Sequence, residues 1–259
     1  MKTKFLPTIA PPIISLVVVL VFWETIVRVL SVPAFLLPPP SAIQAAGMAN
    51  ASSLIGASLT TAQSALIGFL LSIVIGISLA VVLGTSRLLE RAFYPYAVFL
   101  QTVPIVAIAP LLVIWFGPGP RAVSVASFIV SVFPIMANTL TGLQSVDPAL
   151  RDLFRLHGAS RSQTLFLLSL PHATPNIVTG LRVAGGLSVI GAIVGEFVAG
   201  FAEGAAGLGI RILESYRLLR TDLLFAYVFC ACLLGLALFG ATNWLGWRLM
   251  RKWHPSEKI

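Results

Sequence analysis

Long apolar runs alternate with short polar stretches along this 259-residue chain. A helix needs about 20 apolar residues to cross the hydrocarbon core of a bilayer. Six runs have that length: 9–30, 60–83, 93–116, 122–143, 175–200 and 223–247, with Arg182 near the start of the fifth. No stretch alternates apolar and polar residues as a barrel strand would. The pattern predicts an all-α membrane protein with six transmembrane helices, folded as one domain over 1–259. The first run follows two lysines, as a signal peptide would. It is longer than the roughly 7–15-residue apolar core of such a peptide, and no small-x-small cleavage site follows it. It reads as a retained first span.

Composition agrees with the pattern. The chain is 58% apolar and 10% charged, against about 25% charged in soluble domains. So few charges cannot cover a water-facing surface, which places the chain in a lipid bilayer. A net charge of +8 would suggest nucleic acid in a soluble protein, but no basic run with interleaved aromatics lies outside the termini. No nucleic-acid partner is expected. The cations instead set orientation, because Lys and Arg concentrate in cytoplasmic loops. With the N-terminus inside, the inner segments hold Lys2, Lys4, Arg87, Arg91, Arg151, Arg155, Arg161, Arg248, Arg251, Lys252 and Lys258. The outer segments hold only Arg121, Arg211, Arg217 and Arg220. Both termini are therefore expected in the cytoplasm.

Two outer segments stand out. Residues 31–58 carry no charge and include Pro38, Pro39 and Pro40, which cannot continue a helix; with Phe35, Leu36 and Leu37 ahead of them they read as a segment on the outer interface. In the segment 204–222, Leu208, Ile212, Tyr216 and Leu219 form an apolar stripe at helical spacing, with Arg211, Glu214 and Arg217 on another face. That spacing predicts an amphipathic helix along the interface. Within the spans, Gly191 and Gly195, the ladder Gly76, Ala80 and Gly84, and the pair Gly240 and Ala241 place small residues where helix backbones pack closely.

Several chemistries are excluded. A P-loop needs a Gly-Lys pair to hold phosphates, and the four lysines lie near the ends of the chain with no glycine before any of them. No cofactor is expected in this chain. His157, His172 and His254 do not cluster at the spacing of metal ligands, so no metal site is expected. Cys230 and Cys232 are two apart in an apolar run and read as small buried hydrophobes. An intramembrane hydrolase would need a nucleophile with a base. Spans carry serines such as Ser72 and Ser188 but no histidine, and those serines fit helix–helix hydrogen bonds better.

Ionisable residues inside a bilayer are costly and so are functional candidates. Glu24 and Arg28, four apart with the acid first, suit a helical ion pair. Glu196 has no polar neighbour within a turn of its own helix. It must face water, meet a partner from another helix or take up a proton, which leaves a pathway or gate role and a structural contact both open. Gln101 and Pro104 interrupt the third run, and Pro134 and Asn138 the fourth. Broken backbone at membrane depth is tolerated where it lines protein or a cavity. Glu196, Gln101, Pro104 and Asn138 are therefore the pathway or gate candidates.

The polar segment DLFRLHGASRSQTLFLLSLP, residues 152–171, lies between the fourth and fifth runs. It resembles the cytoplasmic loop of ATP-binding-cassette importer permeases: an acidic residue and two alanines, three residues, a glycine, nine residues, an aliphatic residue, one residue, then Leu-Pro. Asp152, Gly158, Leu168, Leu170 and Pro171 fall on this pattern, while Leu153 and Phe154 replace the alanines. The run from Pro171 through Pro175 and Ile177 to Gly180, Leu181 and Arg182 is similar to that of the nitrate, sulfonate and taurine permeases. So are Gly195-Glu196-Phe197-Val198, Gly207-Leu208-Gly209 and the outer Leu37-Pro38-Pro39-Pro40. The likeness spans nearly the whole chain.

The resemblance implies a type I importer permease in the bacterial inner membrane that pairs with a second copy of itself around a central pathway. Two ATPase subunits would bind ATP and Mg and dock below, and a solute-binding protein would deliver substrate from outside. The coupling loop would be 147–173, with Asp152, Leu153, Phe154, Arg155, His157, Gly158, Ala159, Arg161 and Pro171 at the contact. Leu153, Phe154 and Leu156 would fill an apolar groove on the ATPase while Asp152, Arg155 and Arg161 set register. Substrates across such permeases include oxyanions, taurine and other sulfonates, and uncharged vitamin precursors. A secondary transporter, with Glu196 as its coupling carboxylate, and an intramembrane enzyme are the alternative classes.

Overall fold

The computed structural model of the protein describes residues 6–199 and 206–250. No β-strand occurs among them. Helix α1 (Leu6–Val29) leads through a turn to a short helix, α2 (Pro40–Ala49). The proline run starts the second element: Pro40 is the first residue of α2, where a missing N–H costs nothing and a fixed φ helps. Helix α3 (Ala51–Gly84) is 34 residues long and begins well before the expected position 60. Its early turns are uncharged, and Leu54 and Ala57 pack against Leu208, Ala226 and Tyr227.

Helices α4 (Arg87–Thr102) and α5 (Ile105–Phe116) meet at a bend of 98°. The third run, expected over 93–116 with an interruption at Gln101 and Pro104, is a broken span that starts earlier, at Arg87. Proline disfavours helical backbone at the residue before it, and Val103 and Pro104 are both extended, with ψ of 123° and 121°. Helix α6 (Pro120–Gln144) follows, then the short α7 (Pro148–Leu156) and a single turn, α8 (Arg161–Thr164). A π-helical turn over Leu165–Ser169 joins α8 to α9 (Leu170–Ala199), so the fifth span is continuous over Arg161–Ala199 and starts before the expected 175. Its expected last residue, Gly200, lies outside the described residues, as do residues 204 and 205 at the start of the segment expected over 204–222. Helix α10 (Leu208–Arg217) and α11 (Thr221–Met250) complete the described chain.

The core is built on α6, which packs along both α3 and α9. Backbones approach closely there because the contacts are small residues. A Cβ added to Gly191 would lie 2.8 Å from Cα of Ser127, so only glycine fits. The expected packing of Gly191 and Gly195 is thus realised within one subunit, against α6, whereas a Cβ added to Gly240 would meet nothing within 4 Å. The serines knit the same helices. Ser72 and Ser131 hydroxyls are 2.7 Å apart, Ser72 also donates to Phe128 O, and Ser188 donates to Gly185 O. All three are fully buried; Ser72 and Ser131 make the expected helix–helix hydrogen bonds, whereas Ser188 bonds back to its own helix.

The connections fall at two ends. At one, Thr221 Oγ1 donates to Phe35 O at 2.6 Å and Gly119 N–H to Ala199 O at 2.9 Å. This end carries α2, the turn before α6, and α10. The other end carries the turn before α4 and the segment with α7 and α8.

Candidate functional site

Helix α7 is short, polar and exposed, and each end is closed by its own chemistry. Asp147 accepts a hydrogen bond from Ala149 N–H at its start. At its end Gly158 takes φ of +68°, and the N–H groups of Gly158 and Ala159 return to the carbonyls of Arg155 and Phe154. This is a Schellman closure, in which glycine avoids the cost of left-handed backbone. Leu150, Leu153 and Leu156 are exposed, Leu156 by 84%. Phe154 is half-buried. Asp152 and Arg155 form an exposed pair at 3.4 Å, and His157 Nδ1 lies 2.9 Å from Leu153 O. Arg161 opens α8 behind a capping box of Ser160 and Gln163, Ala159 is half-buried, and Pro171 sits in the first turn of α9.

Arg151 was not singled out in the sequence. Its guanidinium donates to Leu143 O at 2.6 Å, covering one of the carbonyls left open at the end of α6. Together with the buried Val146, this fixes α7 to the last turn of α6.

At the opposite end both intramembrane acids perform the same task. Glu24 pairs with Arg28 at 2.6 Å, as expected, and also accepts from Ser41 N–H at 3.0 Å and from the Ser41 hydroxyl at 2.8 Å. Ser41 is the second residue of α2. Glu196 accepts from Gly209 N–H at 2.7 Å and from Thr61 Oγ1 at 2.8 Å, while Thr61 Oγ1 itself accepts from Leu208 N–H at 2.8 Å. Leu208 and Gly209 are the first two residues of α10. The first N–H groups of a helix lack internal partners and favour negative charge. Each acid thus ties the start of a short helix, α2 or α10, to a span.

Glu196 is 4% exposed and Thr61 fully buried, so the carboxyl meets partners from α3 and α10 rather than water. Space around it is tight. A Cβ on Gly207 would collide with the carboxyl, and one on Gly209 would lie 2.6 Å from Ile193 O. Gly207 and Gly209 are required by that contact. Helix α10 differs from the expected stripe. Leu208 and Ser215 are buried and Ile212 is half-buried, while Tyr216 and Leu219 are exposed. The helix ends at Arg217 and Leu219 takes φ of +54°, turning the chain into α11 before the stripe continues.

The third place is the break between α4 and α5. A cavity of about 350 Å³ opens there, lined by Leu100, Gln101, Thr102, Val103, Pro104 and Ile105 from the break and by Ile129, Val130, Pro134 and Leu187 from α6 and α9. Gln101 and Pro104 are thus brought together at one cavity. Asn138 is not among its lining residues. Its amide donates to Pro134 O at 2.8 Å, and its Cβ lies against Gly180 at the α6–α9 contact. Glu196 lies at the end that carries α2 and α10. The sequence candidates therefore fall into separate places. Thr61 went unnamed in the sequence, and Gly207 and Arg151 were named without these roles, because their partners are distant in sequence or belong to backbone. The Gly207-Leu208-Gly209 spacing carried the one usable signal, a need for close approach.

Comparison with known proteins agrees with this architecture. Residues 72–251 match the family of binding-protein-dependent transport system inner membrane components. The chain is 35% identical over 247 residues to the formylaminopyrimidine transport permease protein ThiX of Halalkalibacterium halodurans, covering 95% of this chain and 96% of that one. It is 34% identical over 252 residues to the riboflavin transport system permease protein RibX of Chloroflexus aurantiacus, covering 96% and 92%. A solved structure of the MetNI methionine ABC transporter in an inward-facing conformation shares the fold, with a TM-score of 0.67 at 18% identity, covering 76% of this chain and 95% of that one. An exposed short helix at one end, two tethered helices at the other and a broken span between them are thus the work of a transport subunit: the chain belongs to the binding-protein-dependent transport system inner membrane components, the permeases of ABC importers.

Proposed function

We propose that this chain is one of two identical subunits that form the pathway of an ATP-driven importer, with both termini in the cytoplasm. Helix α7 carries this reading. It is a short helix closed at both ends, with Leu150, Leu153 and Leu156 facing out and Arg151 holding it to α6. Burying such leucines in a partner's groove contributes about 1.5–3 kcal/mol each. The partner is a separate ATPase subunit, one per permease, which binds the ATP and Mg. The Lys and Arg residues near α7 and near the start of α4 support placing this end in the cytoplasm, and α2 and α10 then face a solute-binding protein outside. Glu196, held by Thr61 and Gly209, is not available as the coupling carboxylate of a secondary transporter.

The substrate we propose is an uncharged nitrogen heterocycle. Formylaminopyrimidine and riboflavin, named for two relatives at 35% and 34% identity, are both of this class. The test is co-expression with the neighbouring ATPase and purification through a tag on the permease. The ATPase is expected to co-purify with wild type and to be lost with Leu153→Glu, which leaves the spans untouched. Co-purification at the wild-type level with Leu153→Glu and Leu156→Glu combined would refute α7 as the docking element.

A further inference from the structure

The cavity at the broken span has a property that the docking of α7 does not explain. It is a concave space of about 350 Å³, within the roughly 300–1,000 Å³ range of small-molecule sites. None of its lining residues is charged. Its side-chain polarity is confined to Gln101 and Thr102, and the Thr102 hydroxyl donates to Phe99 O at 2.7 Å. The Gln101 amide has no hydrogen-bond partner among the described residues. A primary amide offers two donors and one acceptor, and an open amide at membrane depth is costly unless something fills it.

The ionisable residues of the neighbouring spans do not supply a charge here. Glu24 and Arg28 are held with Ser41 at α2, Glu196 is held at α10, and Arg182 has a partner of its own and is not among the lining residues. The walls opposite Gln101 are apolar and come from two helices, Ile129, Val130 and Pro134 on α6 and Leu187 on α9. Such a space suits a flat, uncharged ring: its faces lie on the aliphatic walls, and its edge nitrogens meet the amide. An oxyanion would lose its hydration with no cation to replace it.

We infer that the cavity between Gln101, Pro104, Pro134 and Leu187 is a recognition point of the translocation pathway for an uncharged heteroaromatic solute, with the Gln101 amide as its specificity-determining group. This rests on the reading of the chain as a heterocycle importer and adds where, and through which group, the solute is recognised. Pro104 contributes shape: the break it creates opens the space and turns Gln101 toward it. The apolar walls accept any flat ring of suitable size, and Gln101 distinguishes rings with donor and acceptor edges from those without.

The experiment uses the complete importer, permease with its ATPase and binding protein, in proteoliposomes. Labelled formylaminopyrimidine is the uncharged probe, expected to be carried, and labelled ethanesulfonate the anionic one, expected not to be. Solute carried per ATP hydrolysed is the readout, because a merely structural defect lowers uptake and hydrolysis together and leaves the ratio unchanged. Wild type is expected to carry the pyrimidine. Gln101→Leu is expected to lower the ratio about tenfold, the effect of one lost hydrogen bond, with Gln101→Asn in between. Should Gln101→Leu fail to assemble, Gln101→Glu gives the same reading, since a carboxylate in an uncharged cavity is expected to lower the ratio at least as much. A wild-type ratio in the variant that assembles would overturn Gln101 as the recognition group. A wild-type importer that does not carry the pyrimidine would overturn the uncharged class. Loss of the ATPase from the wild-type complex would instead refute the importer reading, so the two failures are distinct.

Discussion

Replacing Glu196 with leucine should release α10 from the spans. The carboxyl accepts from Gly209 N–H and from the Thr61 hydroxyl, and Thr61 in turn accepts from Leu208 N–H. Leucine removes the acceptor and leaves two donors unmatched in a site where Thr61 and Leu208 are fully buried. Each unmatched buried donor costs about 1–3 kcal/mol, so the loss is about 2–6 kcal/mol. Leucine burial offsets about 2 kcal/mol of this. A net change of even about 1.4 kcal/mol raises the population of the detached helix tenfold. Ser215, buried on α10, reports that population directly. In a background lacking Cys230 and Cys232, cysteine at Ser215 should be protected from a thiol reagent. Glu196→Leu should speed its labelling about tenfold or more, Thr61→Val should do the same, and Glu196→Gln, which keeps one acceptor oxygen, should fall between. Uptake normalised to assembled complex then separates a structural tether from a gate. Unchanged labelling of Ser215→Cys in the Glu196→Leu protein would refute the tether.

Two further outcomes follow from the other end. Gly158 sits at φ of +68° with nothing within 4 Å of an added Cβ, so Gly158→Val suffers backbone strain rather than a clash. It should cost about 1–2 kcal/mol and weaken ATPase co-purification, while Gly158→Asn, which tolerates this conformation, should come close to wild type. For topology, cysteine at Ser52, exposed near the start of α3, should react with an impermeant thiol reagent from outside sealed cells, and cysteine at Ser160 should not. The outer position Glu203 lies outside the described residues but should label like Ser52.

The spans were legible because hydrophobic length is a property of composition alone, and the α7 segment because its polar residues interrupt that length. The break in the third span was half-legible. Pro104 signalled it, yet Pro95, Pro110, Pro134 and Pro175 lie inside continuous helices, so proline by itself does not decide between a tolerated kink and a break. What decides is whether the preceding residue leaves the helix, as Val103 does. The partner of Glu196 was not legible at all. Thr61 is 135 residues away, and periodicity describes only neighbours on one helix. Both acids stood out by sequence as expensive, but their shared role, holding the first N–H groups of α2 and α10, involves backbone that no side-chain pattern records. The stripe over 208–219 runs past the helix it predicts, because periodicity continues beyond Arg217 to the point where Leu219 turns the chain.

The central claim is that α7 docks on an ATPase subunit. Site-specific cross-linking tests it most directly. Single cysteines at Leu156, 84% exposed on α7, and at Tyr216, 65% exposed on α10, would be treated with a short bifunctional thiol reagent in the intact complex lacking Cys230 and Cys232. Leu156→Cys should give a covalent permease–ATPase product, and Tyr216→Cys none. A product from Tyr216→Cys with none from Leu156→Cys would place the ATPase at the opposite end and contradict the account.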